Sequence, residues 1–189
     1  MTEQNTKIPD LAPTPQEFEE LMGLIYIQDE GRKQRISFTH WHPFFRKVSN
    51  FLKARGHDVV DLTEEYFNSQ ECKDRVLVDY HVYQNKIELD APKTFLFNPH
   101  CDNKDNSKVC TYLYYPICSF PQGGELMLNV KKEFNFDFEK TKPGEIVIVD
   151  PRKQKVLIVE GDIPHYMRPC IGIGRRDCLV IQPLMRNKN

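Results

Sequence analysis

The chain has 189 residues, which is enough for one domain with a sizeable hydrophobic core. Lys and Arg total 26 and Asp and Glu total 27, so the formal net charge is −1 and gives no support for a nucleic-acid or membrane-surface partner. No apolar run reaches the roughly 18 residues that cross a bilayer, so no transmembrane helix is expected.

The beginning of the sequence, MTEQNTKIPDLAP, is polar and lacks the apolar segment of a secretory signal, which predicts a cytoplasmic protein. Residues 1–13 are interpreted as a flexible lead, and residues 14–189 as a single domain. The cysteines show no Cys-x-x-Cys spacing, which argues against a zinc knuckle and predicts free thiols in a reducing compartment. They are Cys72, Cys101, Cys110, Cys118, Cys170 and Cys178.

Helices are predicted in the first part of the chain. Thr14-Pro15-Gln16-Glu17 fits a capping box, so a helix is expected from about Pro15. A second helix is predicted from about Pro43 to Gly56, and a third, short one after Thr63. The apolar positions of the first helix that should face the core are Phe18, Leu21, Met22 and Ile25.

The second part of the chain is rich in β-branched and aromatic residues. Turn signals such as Pro121-Gln122-Gly123-Gly124 separate short strand-like runs. The predicted strands are 76–83, 94–97, 109–115, 125–130, 145–149, 156–159 and 177–182. Many short strands with regular turns favour an antiparallel sandwich or barrel, with the helices packed on its outside.

A candidate metal site comes from residues far apart in the sequence. His100 and Asp102 lie two positions apart, so on an extended chain they point to the same side. With His165 they supply two imidazoles and one carboxylate, a set that binds iron(II) on one face and leaves positions open. A His-x-Asp pair is common by chance, so a simple turn histidine at position 100 stays an alternative.

Six segments follow one another in a characteristic order. They are His100-Cys101-Asp102-Asn103, the tyrosine-rich run 111–115, Gly123-Gly124-Glu125-Leu126, the run 143–148, the run 165–169, and Gly174-Arg175-Arg176. In this order, over about residues 76–183, the sequence resembles the 2-oxoglutarate/Fe(II)-dependent dioxygenases, in their prolyl 4-hydroxylase-like branch. The usual spacer between the proline and the glycine of that branch is missing at Pro143-Gly144.

The resemblance implies a mostly β, α+β fold with a double-stranded β-helix, or jelly-roll, core flanked by the N-terminal helices. It also implies that His100, Asp102 and His165 bind the metal. No further catalytic residue is implied beyond this centre.

The resemblance further implies a binding site for 2-oxoglutarate. Its far carboxylate would bind Arg175, with Arg176 as the rival, because strand alternation turns only one of the two inward. Tyr114 would donate its hydroxyl to the same carboxylate, unless it only fills the barrel.

The implied activity is hydroxylation of an unactivated C–H bond with Fe(II), 2-oxoglutarate and O2, releasing succinate and CO2; ascorbate is a candidate additional cofactor. A prolyl or other side chain of a peptide or protein is the expected substrate, and a free amino acid or natural product is the alternative. A non-catalytic jelly-roll binding module and a zinc enzyme also stay open. A nucleic-acid demethylase is disfavoured, because Ile181 and Gln182 stand where that branch has its second arginine.

Overall fold

The computed structural model describes residues 11–30, 33–38, 40–70, 77–85, 99–102, 110–137 and 140–182. Helices α1 (Pro15–Gly23), α2 (Pro43–Ala54) and α3 (Glu64–Asn68) confirm the three predicted helices. The capping box is present, since the Thr14 hydroxyl accepts the Glu17 N–H while Glu17 accepts the Thr14 N–H. Each cap satisfies a backbone donor that the first helical turn leaves without a partner.

The strands form two antiparallel sheets. They are β1 (Ile25–Glu30), β2 (Lys33–Phe38), β3 (Leu77–Asn85), β4 (Cys110–Tyr114), β5 (Leu126–Asn129), β6 (Ile146–Val149), β7 (Val156–Glu160), β8 (His165–Met167) and β9 (Gly174–Gln182). The large sheet has the order β1-β2-β3-β9-β4-β7, and the small sheet has the order β6-β5-β8. A bridge between His100 and His165 adds the segment at His100 beside β8.

This arrangement is a jelly roll. From β3 onward the chain passes to the small sheet at His100, returns at β4, makes β5 and β6, and then alternates through β7, β8 and β9. The mostly β fold with a jelly-roll core and flanking helices is therefore the predicted one. Such a winding brings the ends of distant strands together at one mouth between the sheets.

Two hydrophobic clusters define the two faces of the large sheet. The outer face carries the helices, and its cluster includes Leu21, Phe44, Phe45, Val48, Leu52, Tyr80, Tyr112, Leu179 and Ile181. The inner face looks at the small sheet, and its cluster includes Leu113, Tyr115, Leu126, Leu128, Val149, Leu157, Val159 and Cys178. Because successive side chains of a strand alternate, these clusters fix the face of every residue on β4 and β9.

Some predictions differ from the structure. The hairpin of β1 and β2 and the short strand β8 were not predicted, and Ile25 begins β1 instead of extending α1. The predicted strand 94–97 and residues 1–10 of the predicted lead lie outside the described residues. The end of that lead is packed, since Leu11 is buried and its carbonyl accepts the Tyr112 hydroxyl at 2.9 Å.

The cysteines of the described residues form no disulfide, and Cys72 lies outside the described part of the chain. Within the described ranges, none of the helices combines the length and the apolar character needed to cross a membrane.

Candidate metal centre

Three predicted metal-ligating residues meet at the mouth of the jelly roll. One ligand atom from each of His100, Asp102 and His165 lies within 4.8 Å of the other two. Asp102 Oδ1 is 3.8 Å from His100 Nε2 and 3.6 Å from His165 Nε2. The same oxygen therefore faces both imidazoles, as in a site where three donors share one ion.

Backbone pairing holds the two histidines side by side. The His100 N–H donates to the His165 carbonyl at 3.0 Å, and the His165 N–H donates to the His100 carbonyl at 2.9 Å. Directly opposed residues of an antiparallel pair project their side chains to the same face. The ring centroids are consequently only 4.5 Å apart, and the mouth of the barrel leaves the His100 side chain 47% exposed.

His165 is held in the form that binds metals. Its Nδ1–H donates to the Ile163 carbonyl at 2.9 Å, which fixes the tautomer and leaves the Nε2 lone pair directed toward Asp102. Burial lowers the pKa of His165 below its ordinary value, against the opposing effect of the Asp102 carboxylate. Burial is the larger effect, and it favours a neutral imidazole whose Nε2 lone pair is free.

The Asp102 carboxylate uses its two oxygens differently. Oδ1 faces the imidazoles, whereas Oδ2 accepts a hydrogen bond from the hydroxyl of Thr111. Thr111 lies on β4 with its side chain on the inner face and is almost completely buried. The Thr111 contact was not predicted from the sequence.

Of the two candidate arginines, the structure places Arg176 on the inner face and Arg175 on the outer face. Arg175 was the preferred 2-oxoglutarate ligand, so its expected orientation was wrong. Its guanidinium forms two hydrogen bonds of 2.7 Å with Asp177, which also accepts the Tyr80 hydroxyl at 2.8 Å. These three side chains satisfy one another beneath the helices, on the side away from the candidate metal centre.

Arg176 is a buried cation with no acidic partner among the described residues. Its Nε donates to the Gly124 carbonyl at 3.1 Å, and its guanidinium carbon is 4.8 Å from the ring centroid of Tyr115. A carbonyl and an aromatic face stabilise the charge but do not neutralise it. An anionic ligand inside the barrel would supply the missing counter-charge.

The Gly-Gly turn before β5 encloses Arg176. Gly124 has a φ of +79°, and a Cβ placed there would lie 3.2 Å from Cys170 Sγ and 3.4 Å from Arg176 Cδ. Gly123 is also left-handed, and a Cβ there would collide with the Pro169 carbonyl. Both glycines are therefore required for the turn to close over the arginine.

Tyr114 lies on the outer face, which corrects the expectation that it points into the barrel. Its ring makes an edge contact with Phe18 of α1, with centroids 5.9 Å apart. The neighbouring Tyr115 occupies the inner face instead, and burial raises the pKa of its hydroxyl well above the ordinary value.

No protein-family model matches the sequence, and no curated protein matches it either. Among solved structures the chain is similar to HygX from Streptomyces hygroscopicus with nickel and 2-oxoglutarate bound, at 15% identity and a TM-score of 0.48, covering 97% of this chain and 87% of that one. It is also similar to the dioxygenase for auxin oxidation 1 of Arabidopsis thaliana in complex with 2-oxoglutarate, at 16% identity and a TM-score of 0.47, covering 95% and 76%.

The chain is also similar to HppE in an Fe(II) form, at 11% identity and a TM-score of 0.36, covering 94% of this chain. It spans only 63% of the length of that protein. Identities and TM-scores of this size assign no activity, so the site is interpreted from its own residues.

Proposed function

We propose that this chain is an Fe(II)- and 2-oxoglutarate-dependent dioxygenase that hydroxylates an unactivated C–H bond. One observation carries the proposal: a His-Asp-His cluster and an arginine without a carboxylate partner among the described residues share the interior of one jelly roll. The first suits a divalent metal, and the second suits an anion. A dianion that chelates the metal at one end, such as 2-oxoglutarate, would bind to both the metal and the arginine.

The donor set fits iron(II). His100 and His165 supply imidazole nitrogen, and Asp102 supplies one carboxylate oxygen, which is the combination typical of non-haem iron oxygenases. Three protein donors would leave the remaining coordination positions of the ion available for other ligands. When bound there, iron(II) would supply the oxidation chemistry, with 2-oxoglutarate and O2 giving succinate and CO2 as co-products.

Arg176 is the proposed ligand for the far carboxylate of 2-oxoglutarate. A guanidinium binds a carboxylate through two parallel hydrogen bonds, and burial strengthens that pair by excluding water. The enclosing turn at Gly123 and Gly124 holds the side chain in place, and the Gly124 carbonyl orients its Nε. The co-substrate would then be held at one end by Arg176 and at the other by the metal.

For the substrate we propose a prolyl or other amino-acid side chain within a peptide or protein, following the resemblance to the prolyl 4-hydroxylase-like branch. A free amino acid or natural product is the alternative. Incubation with O2, 2-oxoglutarate and either proline-containing peptides or free amino acids, followed by mass spectrometry, separates them. A mass increase of one oxygen in a peptide supports the first, and an increase only in a small molecule supports the second.

The direct test is the visible spectrum of anaerobic protein with Fe(II), before and after addition of 2-oxoglutarate. Chelation of Fe(II) by the 2-oxo acid should produce a new metal-to-ligand charge-transfer band. The band should be absent in His165→Ala, and in Arg176→Ala it should require much more 2-oxoglutarate. Folded wild-type protein without a band would contradict the proposal, and metal analysis would then test for zinc.

A further inference from the structure

A chain of hydrogen bonds leads from the last strand to the candidate metal ligand. The Gln182 side-chain amide donates from Nε2 to Thr111 Oγ1 at 3.2 Å, and Thr111 Oγ1 donates in turn to Asp102 Oδ2. Thr111 and Gln182 are neighbours across β4 and β9, because the adjacent pair Tyr112 and Ile181 is in register. Both side chains therefore lie on the inner face, beside the metal centre.

We propose that Thr111 and Gln182 are positioning residues that hold the Asp102 carboxylate so that a single oxygen, Oδ1, meets the metal. The inference rests on the proposed function, because it requires a metal ion at His100, Asp102 and His165. It assigns a different role to each carboxylate oxygen: Oδ1 binds the metal, and Oδ2 accepts the hydrogen bond from Thr111. Neither Thr111 nor Gln182 touches the metal or the co-substrate in this role.

The direction of the protons follows from hydrogen-bond chemistry. An ionised carboxylate only accepts, so the single proton of the Thr111 hydroxyl has to point at Asp102. The hydroxyl oxygen then offers only lone pairs to Gln182, which has to present its NH2 group. Gln182 thereby prevents the hydroxyl from rotating away, since its amide fills the acceptor side.

The hydrogen bonds from Gln182 to Thr111 and from Thr111 to Asp102, called the relay below, determine how Asp102 binds the metal. Oδ2 is engaged by a buried hydroxyl, whereas Oδ1 faces the Nε2 atoms of His100 and His165. A carboxylate free to turn could present both oxygens and occupy a second metal position. Fixing Oδ2 to Thr111 would keep that position free of the second carboxylate oxygen. Hydrogen-bond partners of metal ligands commonly change metal affinity by about 10- to 100-fold.

The test is a titration of metal-free protein with Co(II), followed by its ligand-field spectrum, with Mn(II) titrations as a second measure. Thr111→Val removes the hydroxyl at nearly constant volume and should weaken metal binding by about 10-fold or more. It should also alter the Co(II) spectrum, because the carboxylate can then change its mode of binding. Thr111→Ser restores the hydroxyl and should restore both properties.

Gln182 offers a sharper variant that leaves every ligand and Thr111 intact. In Gln182→Glu, a carboxylate competes with Asp102 for the Thr111 proton, so the relay predicts weaker metal binding. A simple charge effect predicts the opposite, since an added negative charge near a cation strengthens binding. Gln182→Met removes the amide without adding charge and should cause a smaller loss. The loss in Thr111→Val/Gln182→Met should not exceed that of Thr111→Val alone, because Gln182 acts through Thr111.

The outcomes distinguish the inference from the function on which it rests. Wild-type protein that binds no metal would overturn both. Tight wild-type binding with an unchanged affinity and Co(II) spectrum in Thr111→Val would overturn the relay alone. If Thr111→Val does not fold, Gln182→Glu decides, and stronger metal binding in that variant would overturn the relay.

Discussion

The two faces of the large sheet treat their polar groups in opposite ways. On the outer face, Asp177 is 0% exposed and accepts hydrogen bonds from Arg175 and Tyr80, so this polar group is satisfied within the chain. On the inner face, Arg176 has no described acidic partner, and His100, Asp102 and His165 converge on one point. The outer network joins β3 to β9, whereas the inner groups are the ones that we propose to bind a metal ion and an anion.

Removing one of the proposed metal ligands should abolish activity without unfolding the protein. Asp102→Ala or His165→Ala should abolish turnover of 2-oxoglutarate, because the two protein ligands that remain in either variant are not enough to hold the ion. Succinate formation measures the activity, and circular dichroism confirms that the fold remains. Turnover retained in either variant would contradict the metal assignment.

Removing Asp177 should lower the stability of the protein through the polar network on the outer face. Asp177→Ala leaves the Tyr80 hydroxyl and the Arg175 guanidinium without their shared acceptor, and we expect a loss of about 3 kcal/mol in the free energy of unfolding. The exposed part of Arg175 recovers some hydration, so the loss lies at the lower end for a broken ion pair. Urea unfolding measures it. A loss below about 0.5 kcal/mol, the range of ordinary surface substitutions, would contradict a structural role for the network.

Arg175 and Arg176 are adjacent on β9 but lie on opposite faces of the large sheet. Arg176→Ala should raise the KM for 2-oxoglutarate by roughly 10- to 100-fold, the equivalent of about 1.5–3 kcal/mol for hydrogen bonds to a charged group. Arg175→Ala should leave this KM nearly unchanged and lower the stability instead. Steady-state kinetics with varied 2-oxoglutarate and a saturating concentration of the substrate that is hydroxylated distinguishes the two variants. The reverse result would show that β9 is displaced by one residue.

Tyrosine substitutions should give the smallest effects. Tyr112→Phe removes the hydrogen bond to the Leu11 carbonyl and should cost about 1 kcal/mol of stability. Tyr114→Phe should change neither the stability by more than about 0.5 kcal/mol nor the KM for 2-oxoglutarate. Thermal unfolding and kinetics of both variants test this. A raised KM in Tyr114→Phe would return that hydroxyl to the co-substrate site.

Local signals were sufficient for the helices, whereas the expected grouping of His165 with His100 and Asp102 came from the family resemblance, because no local signal links residues so far apart. The capping box at Thr14 marked α1, and the spacing of His100 and Asp102 placed two side chains on one side. The hairpin of β1 and β2 was missed because Ile25 continues the helical spacing of α1, so the apolar pattern does not reveal the change to a strand. β2 pairs in addition with β3, so this hairpin extends the large sheet.

The orientation of Arg175 and Arg176 could not be derived from the pattern of β9. Cys178 and Val180 on one side and Leu179 and Ile181 on the other are all apolar, because the strand has a hydrophobic cluster on each face. Alternation shows that the two arginines face opposite ways but does not show which is inside. The same ambiguity affected Tyr114 and left the hydrogen bonds of Thr111 and Gln182 unpredicted.

The pairing of His100 with His165 sets the time at which the site can form during synthesis. A nascent chain that has emerged only as far as β7 contains His100 and Asp102 but lacks the strand that carries the third ligand. A metal ion could therefore be bound by all three residues only after β8 has docked beside the segment at His100. An ion bound across this pairing would join the segment at His100 to β8 and stabilise the folded barrel by an amount that grows with the logarithm of its free concentration.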